Sequence, residues 1–315
     1  MADSNRVPMQ PQSVDAPLSQ SAVFLTVRVK PEPDAQKKAI ATVAGIGDLI
    51  KDVGFRDLSA HVSCNVGIGN AFWGALGVDG RPSELRDFTE IVGPKHTAVA
   101  TGGDMFFHIR SERDDLTYEM ERLVLESLGD SVEVMDEVKG FRYFDNRDLL
   151  GFVDGTANPT GLHLPESTLV GDEDPDFRGG SYLVVQKYVH PLDAWEKLTT
   201  EHQEAIIGRR KADNVELPDN DANPAHKTLT TVHDEQGVER DILRDNMPFA
   251  KPGIGEYGTF FIGYTRRLWV LEKMLERMFV GVGPDKYDKL LDFSTAKTGA
   301  TFFVPTREFL DSLGD

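Results

Sequence analysis

The chain carries a single cysteine, Cys64, among its 315 residues. It has no partner for an internal disulfide and cannot build a Cys-rich metal site. A reducing compartment suits such a chain. No stretch approaches the run of about 18 apolar residues that a membrane-crossing helix needs. Residues 1–20, MADSNRVPMQPQSVDAPLSQ, lack the charged start and apolar run of a secretory leader. Rich in Pro, Ser and Gln, they read as a flexible arm, and the cytoplasm is the expected location. Positive charge is also scarce: 34 Lys and Arg stand against 52 Asp and Glu, a formal net charge of -18. Such a surface repels nucleic acid and anionic membranes, so neither is expected as a partner.

Apolar residues, in contrast, make up 40% of the chain, enough for a substantial core, and the length suits two domains. Residues 22–29 (AVFLTVRV) alternate and are β-branched, as a strand requires. A helical pattern follows over 37–52, then strands over 61–68 and 105–110, a helix carrying Leu116, Met120, Leu123 and Val124, and a strand over 132–138. The second half repeats the scheme. A strand over 181–189 precedes a helix with Trp195, Leu198 and Ile206. A strand over 258–265 precedes a helix with Leu268, Leu271, Leu275 and Met278, and a last strand covers 300–305. Two successive halves of this kind predict an α+β fold of two tandem ferredoxin-like domains with antiparallel sheets, over 21–150 and 151–315. Segments 140–180 and 208–257 are rich in Gly, Pro, Asp and Asn. Loops of that length inside a compact protein are usually functional or disordered, and the reactive side chains fall in them.

Three short elements stand out. In Gly151-Phe152-Val153-Asp154-Gly155-Thr156-Ala157-Asn158-Pro159 a carboxylate sits between an apolar run and a Gly-Thr turn; the plain alternative is an Asp-Gly turn in which Asp154 caps its own backbone. In Asn223-Pro224-Ala225-His226-Lys227-Thr228 a histidine stands in a loop, where it is either a ligand or simply exposed. In Leu243-Arg244-Asp245-Asn246-Met247, Arg244 and Asn246 alternate, so on an extended segment they face one side. A cation and an amide there can bind an anionic or peroxidic oxygen; otherwise Arg244 is an ordinary surface arginine. Of the other histidines, His108 lies in an apolar strand and reads as a satisfied core residue. The remaining six have unremarkable polar surroundings.

Taken in order, Asp154, His226 and Arg244-X-Asn246 resemble the pattern of the dye-decolourising peroxidases, the bacterial class B members above all. The likeness spans about 22–315 and includes Gly140-Phe141-Arg142-Tyr143-Phe144-Asp145, the run Gly171 to Tyr182, and Asp292-Phe293-Ser294-Thr295-Ala296. There are departures. The family often has Glu after Asp-Gly-Thr where this chain has Ala157, and AHKTLTTV replaces the commoner run around the histidine.

The resemblance implies a haem b peroxidase, one haem per chain held mainly by the second domain. It would cleave H2O2 heterolytically to a ferryl intermediate and oxidise phenolic or dye-like one-electron donors. It makes His226 the iron ligand, with Asp288 the acid behind it and Asp292 the competitor one turn on. Asp154, Arg244 and Asn246 become the peroxide-handling residues. Arg209, with backbone groups of Gly155 and Thr156, is expected to hold the haem propionates, and Phe261 either walls the pocket or is plain core. Bulky donors would react at the surface through Trp73, Trp195, Trp269 or a tyrosine. A homo-oligomer is expected. Ending at Phe309-Leu310-Asp311-Ser312-Leu313-Gly314-Asp315, the chain shows no docking tail, so an encapsulating shell is not expected. The competing readings are a protein that binds haem or releases its iron, and a ferredoxin-like binding module without haem.

Overall fold

Alternating apolar residues drive strand pairing, and in the computed structural model, which describes residues 10–314, they do so twice in the same order. The first half runs β1 (Ser21–Val29), α1 (Pro33–Ala44), α2 (Ile46–Gly54), β2 (Ser63–Gly69), β3 (Met105–Ser111), α3 (Asp114–Leu128) and β4 (Val132–Phe141). The second runs β5 (Ser181–Val189), α4 (Thr200–Ile207), the short α5 (His226–Thr230), β6 (Leu243–Arg244), β7 (Met247–Lys251), β8 (Glu256–Thr265), α6 (Leu268–Phe279) and β9 (Ala300–Val304). The strands pair in the orders β2-β3-β1-β4 and β7-β8-β5-β9, antiparallel throughout. Each is the arrangement of a ferredoxin-like sheet, so the expected α+β architecture of two tandem units is present. Pairs Phe302↔Gly69 and Phe303↔Ile68 link the two sheets edge to edge. The helix expected over 37–52 is broken at Gly45 into α1 and α2, where glycine has the least to lose by leaving the helix.

The strand period of two sorts the side chains into two cores. On β3, Met105, Phe107 and Ile109 face the helices, while Phe106 joins the layer between the halves. Phe24 of β1 stacks on Phe260 of β8 with ring centroids 4.2 Å apart, and Phe106 lies 5.4 Å from Phe302. The halves are therefore fused through an aromatic layer as well as through backbone pairing.

The expected flexible arm is corrected over 10–20; residues 1–9 lie outside the described residues. Val14 is buried in the layer between the halves. Extending the β9–β2 register puts Pro305 beside Val66, and proline has no N–H to donate. The Gln12 side chain fills that gap. Its Nε2 donates to the carbonyls of Val66 (2.9 Å) and Pro305 (3.0 Å), and its Oε1 accepts from the Val66 N–H at 2.7 Å. A polar composition misled because the polar groups are themselves the mortar.

Cys64 is buried, and burial pushes its thiol up to about 12, so it is an inert packing residue. Among the described residues no helix is long and apolar enough to cross a membrane.

Candidate active site

Helix α6, strands β5 and β8, and the two long loop segments enclose a cavity of about 670 Å³, a size that suits a cofactor. The four apolar positions read as a helical stripe divide their labour. Leu268 is core, whereas Leu271, Leu275 and Met278 also line the cavity. Phe261 lines it too, while its neighbour Phe260 points into the layer between the halves. The strand alternation thus gives Phe261 a place in the pocket wall.

His226 opens α5 and lines the cavity. Its Nδ1 lies 2.6 Å from Oδ2 of Asp288, which is fully buried. The other Asp288 oxygen accepts the Leu290 N–H at 3.0 Å. The carboxylate is thereby fixed, and the Nε2 of His226 is left as the ring nitrogen available to a ligand. Asp292 is engaged elsewhere, by Lys95 (2.8 Å), His96 (2.7 Å) and the Tyr287 hydroxyl (3.1 Å). Burial alone would raise the Asp292 carboxyl, but these partners outweigh it and hold it below the usual range. The structure therefore pairs His226 with Asp288.

Asp154 ends a tight loop closed by the Asp154 N–H on the Asn146 carbonyl (2.9 Å). Gly155 follows at φ +77°, a conformation open to glycine at little cost. Asp154 Oδ1 accepts from the Gly155 N–H at 2.7 Å and from Asn246 Nδ2 at 3.4 Å. The turn reading and the site reading of Asp154 thus describe one residue, since its side chain caps the turn and lines the cavity. Asn246 Oδ1 accepts the Ile262 N–H at 3.0 Å, which directs its NH2 group at Asp154. Arg244 is held from both sides of its backbone by Asn158: its N–H donates to Asn158 Oδ1 (3.0 Å) and its carbonyl accepts from Asn158 Nδ2 (2.7 Å). Its Nε is buried without an acceptor among the described residues. Burial works against the guanidinium charge, and the nearby Asp154 supports it.

Arg209 and Thr156 also line the cavity. Arg209 is partly committed, to the Asn214 carbonyl (3.2 Å) and Glu216 (3.0 Å). The expectation that the Gly155 N–H binds a propionate is corrected, because that N–H already caps Asp154 Oδ1. Sequence reasoning missed three residues. Asp148 lines the cavity with its carboxyl raised to about 7, chiefly by burial. His190, read as unremarkable, is buried at the cavity wall between Thr259 and Ser294, each 2.9 Å away. Asn158 carried a signal only in its closeness to Asp154.

Known proteins of similar sequence and fold identify the family. Residues 12–142 match the N-terminal and residues 145–309 the C-terminal family model of Dyp-type peroxidase. The chain belongs to the Dyp-type peroxidase family. It is 49% identical over 306 residues to a dye-decolorizing peroxidase of Mycobacterium tuberculosis, covering 96% of this chain and 90% of that one. DyPB of Rhodococcus jostii RHA1 superposes with a TM-score of 0.94 at 51% identity, covering 98% of this chain and 100% of the other. Variants of that protein have been solved in complex with heme, and one in complex with manganese. An encapsulated peroxidase of Mycobacterium smegmatis is 46% identical, with a TM-score of 0.93 over 96% of this chain and 98% of its own.

For a Dyp-type peroxidase the residues present suit haem. The cavity has an apolar side that includes Phe261, Leu271, Leu275 and Met278, a histidine with one ring nitrogen fixed by a carboxylate, and a buried arginine Nε lacking an acceptor among the described residues. The surface role expected of the tryptophans is corrected for two of them: Trp73 and Trp195 are 2% and 1% exposed and cannot meet a donor at the surface. Trp269 is partly buried against the core.

Proposed function

We propose that this Dyp-type peroxidase binds haem in the cavity through His226 and reduces H2O2 on it with Asp154, Arg244 and Asn246, drawing electrons from phenolic or dye-like donors. The observation that carries this reading is the buried Arg244 Nε, without an acceptor among the described residues, in one cavity with Asp154 and with His226, which Asp288 holds from behind. Haem bound there would supply the redox chemistry, an iron able to take two oxidising equivalents from peroxide and pass them on singly.

The chain's own groups do the rest. Nδ1–H of His226 donates to Asp288, which fixes the tautomer and makes the other ring nitrogen a stronger ligand. Asp154 takes the proton from one peroxide oxygen and returns it to the departing one. Its Oδ2 serves, because among the described residues only Oδ1 is occupied. Arg244 stabilises the negative charge that grows as the O–O bond lengthens, and in a buried site that charge is worth more than in water. Asn246, with its amide oxygen committed to Ile262, points its NH2 at Asp154, and the same NH2 group would donate to a peroxide held beside it. Arg209 and Thr156 hold the propionates.

The test is the pH–rate profile of H2O2 reduction. Asp154→Asn is expected to lower kcat/KM for H2O2 by about 10²-fold or more, the usual weight of a proton-transfer group, and to change the shape of the profile. A profile left unchanged by the substitution removes Asp154 from the reaction.

A further inference from the structure

Arg244 and Asn246 face the cavity, so Asp245 between them turns to the opposite side. It ends between the two halves with 1% of it exposed. Oδ2 of Asp245 accepts from Arg110 Nη1 at 3.0 Å and lies 3.8 Å from His108 Nε2; Oδ1 lies 3.8 Å from Arg142 Nη2. Arg110 and His108 stand on β3, and Arg142 directly follows β4. Among the described residues, every charged or titratable partner of Asp245 at these distances thus comes from the first half of the chain. The partners are themselves held. His108 Nδ1 meets the Tyr264 hydroxyl at 2.9 Å, and that hydroxyl accepts from Asn65 at 3.1 Å. The Arg110 guanidinium also donates to the Ser13 carbonyl, and Arg142 donates to that of Ser19 at 3.1 and 3.2 Å.

The backbone around Asp245 is loosely laddered. Leu243 and Arg244 pair with Tyr264 and Gly263, and pairing resumes at Met247 opposite Phe260. In between, the Asp245 N–H reaches the Ile262 carbonyl at 3.2 Å, but the Ile262 N–H goes to the Asn246 side chain. Side chains must therefore fix this stretch. Asn158 does so at Arg244, and Arg110 is the corresponding anchor one residue later.

We propose that Asp245 is a positioning residue: its buried pairing with Arg110 ties the first half of the molecule to the back of the 243–247 strand and sets where Arg244 and Asn246 stand in the cavity. This rests on the reading of Arg244 and Asn246 as the peroxide-handling pair. It assigns the first half, which among the described residues contributes none to the cavity wall before Asp148, a part in the reaction.

The test uses the haem-loaded enzyme with Asp245→Asn, which keeps the shape and removes the charge, and Arg244→Leu as a control. Asp245→Asn is expected to lower kcat/KM for H2O2 at least tenfold. KM for the electron donor and the haem content per chain should stay at wild-type values, and amide exchange over 243–247 should quicken. Arg110→Lys, which keeps the cation, should retain more of the rate than Arg110→Gln. A lower melting temperature with an unchanged peroxide rate constant and unchanged exchange would mean a merely structural ion pair and overturn the proposal. If Arg244→Leu keeps the wild-type rate, the reading of the pair has failed instead, and the exchange data alone then decide whether Arg110 anchors the strand. Should Asp245→Asn not retain haem, the Arg110→Lys and Arg110→Gln pair carries the same test. Equal rates and exchange in those two, both at wild-type level, overturn the proposal.

Discussion

Two aspartates one helical turn apart, Asp288 and Asp292, were both eligible partners for His226 on sequence, and family likeness alone ranked them. The geometry separates them by what else each touches: Asp288 meets His226 and a backbone N–H, while Asp292 is taken by a lysine, a histidine and a tyrosine. Asp288→Asn is accordingly expected to weaken haem retention by about 10- to 100-fold, the usual cost of losing such a support. Asp292→Asn should leave it near wild type; haem transfer to an acceptor globin measures both. His190 supplies a pH effect. Burial lowers its pKa to about 4, against about 6.5 in an unfolded chain. Between these values the unfolded state binds the proton and the folded state resists it, so stability is full above about pH 6.5 and falls as the pH drops towards 4. His190→Gln should flatten the urea-denaturation midpoint against pH in that window, a change of up to about 3 kcal/mol. A slope identical to wild type would assign the acid sensitivity elsewhere. None of this was readable from His190's neighbours in sequence, because its burial comes from Thr259 and Ser294, 69 and 104 residues away.

The strands and helices of this chain were legible because their periods of two and 3.6 residues are set by which face is buried. The loops were not, since their geometry depends on side-chain to backbone bonds across long separations. Asn158 is the clearest case. It lies in the same element as Asp154, yet its work is 86 residues away, on both backbone polar groups of Arg244. Asn158→Ala leaves an N–H and a carbonyl without those partners and is expected to cost about 1–3 kcal/mol of stability. It should also lower the H2O2 rate constant, since Arg244 loses its tether. A stable variant with an unchanged rate would show that the strand holds Arg244 unaided. The arm teaches the converse lesson. Its composition reads as solvent-loving, but Gln12 is spent on a backbone gap opened by Pro305.

At the scale of the molecule, the repeat of one strand order in both halves explains why a reading by halves captured the architecture. It could not show that the halves share an aromatic layer, because the strands facing each other across it are far apart in the chain. Phe260→Ala should cost about 3–5 kcal/mol, as large-to-small changes of buried aromatics do, read from denaturant melts. The central claim is that one cavity carries His226 as the haem ligand and Asp154, Arg244 and Asn246 as the peroxide-handling groups. The absorption spectrum of the purified protein before and after one equivalent of H2O2, for wild type and His226→Ala, tests it most directly. The account predicts a ferric haem band in wild type that shifts within the mixing time, and in the variant a band that is lost or displaced. A wild-type haem band indifferent to peroxide, or a variant spectrum identical to wild type, would contradict it.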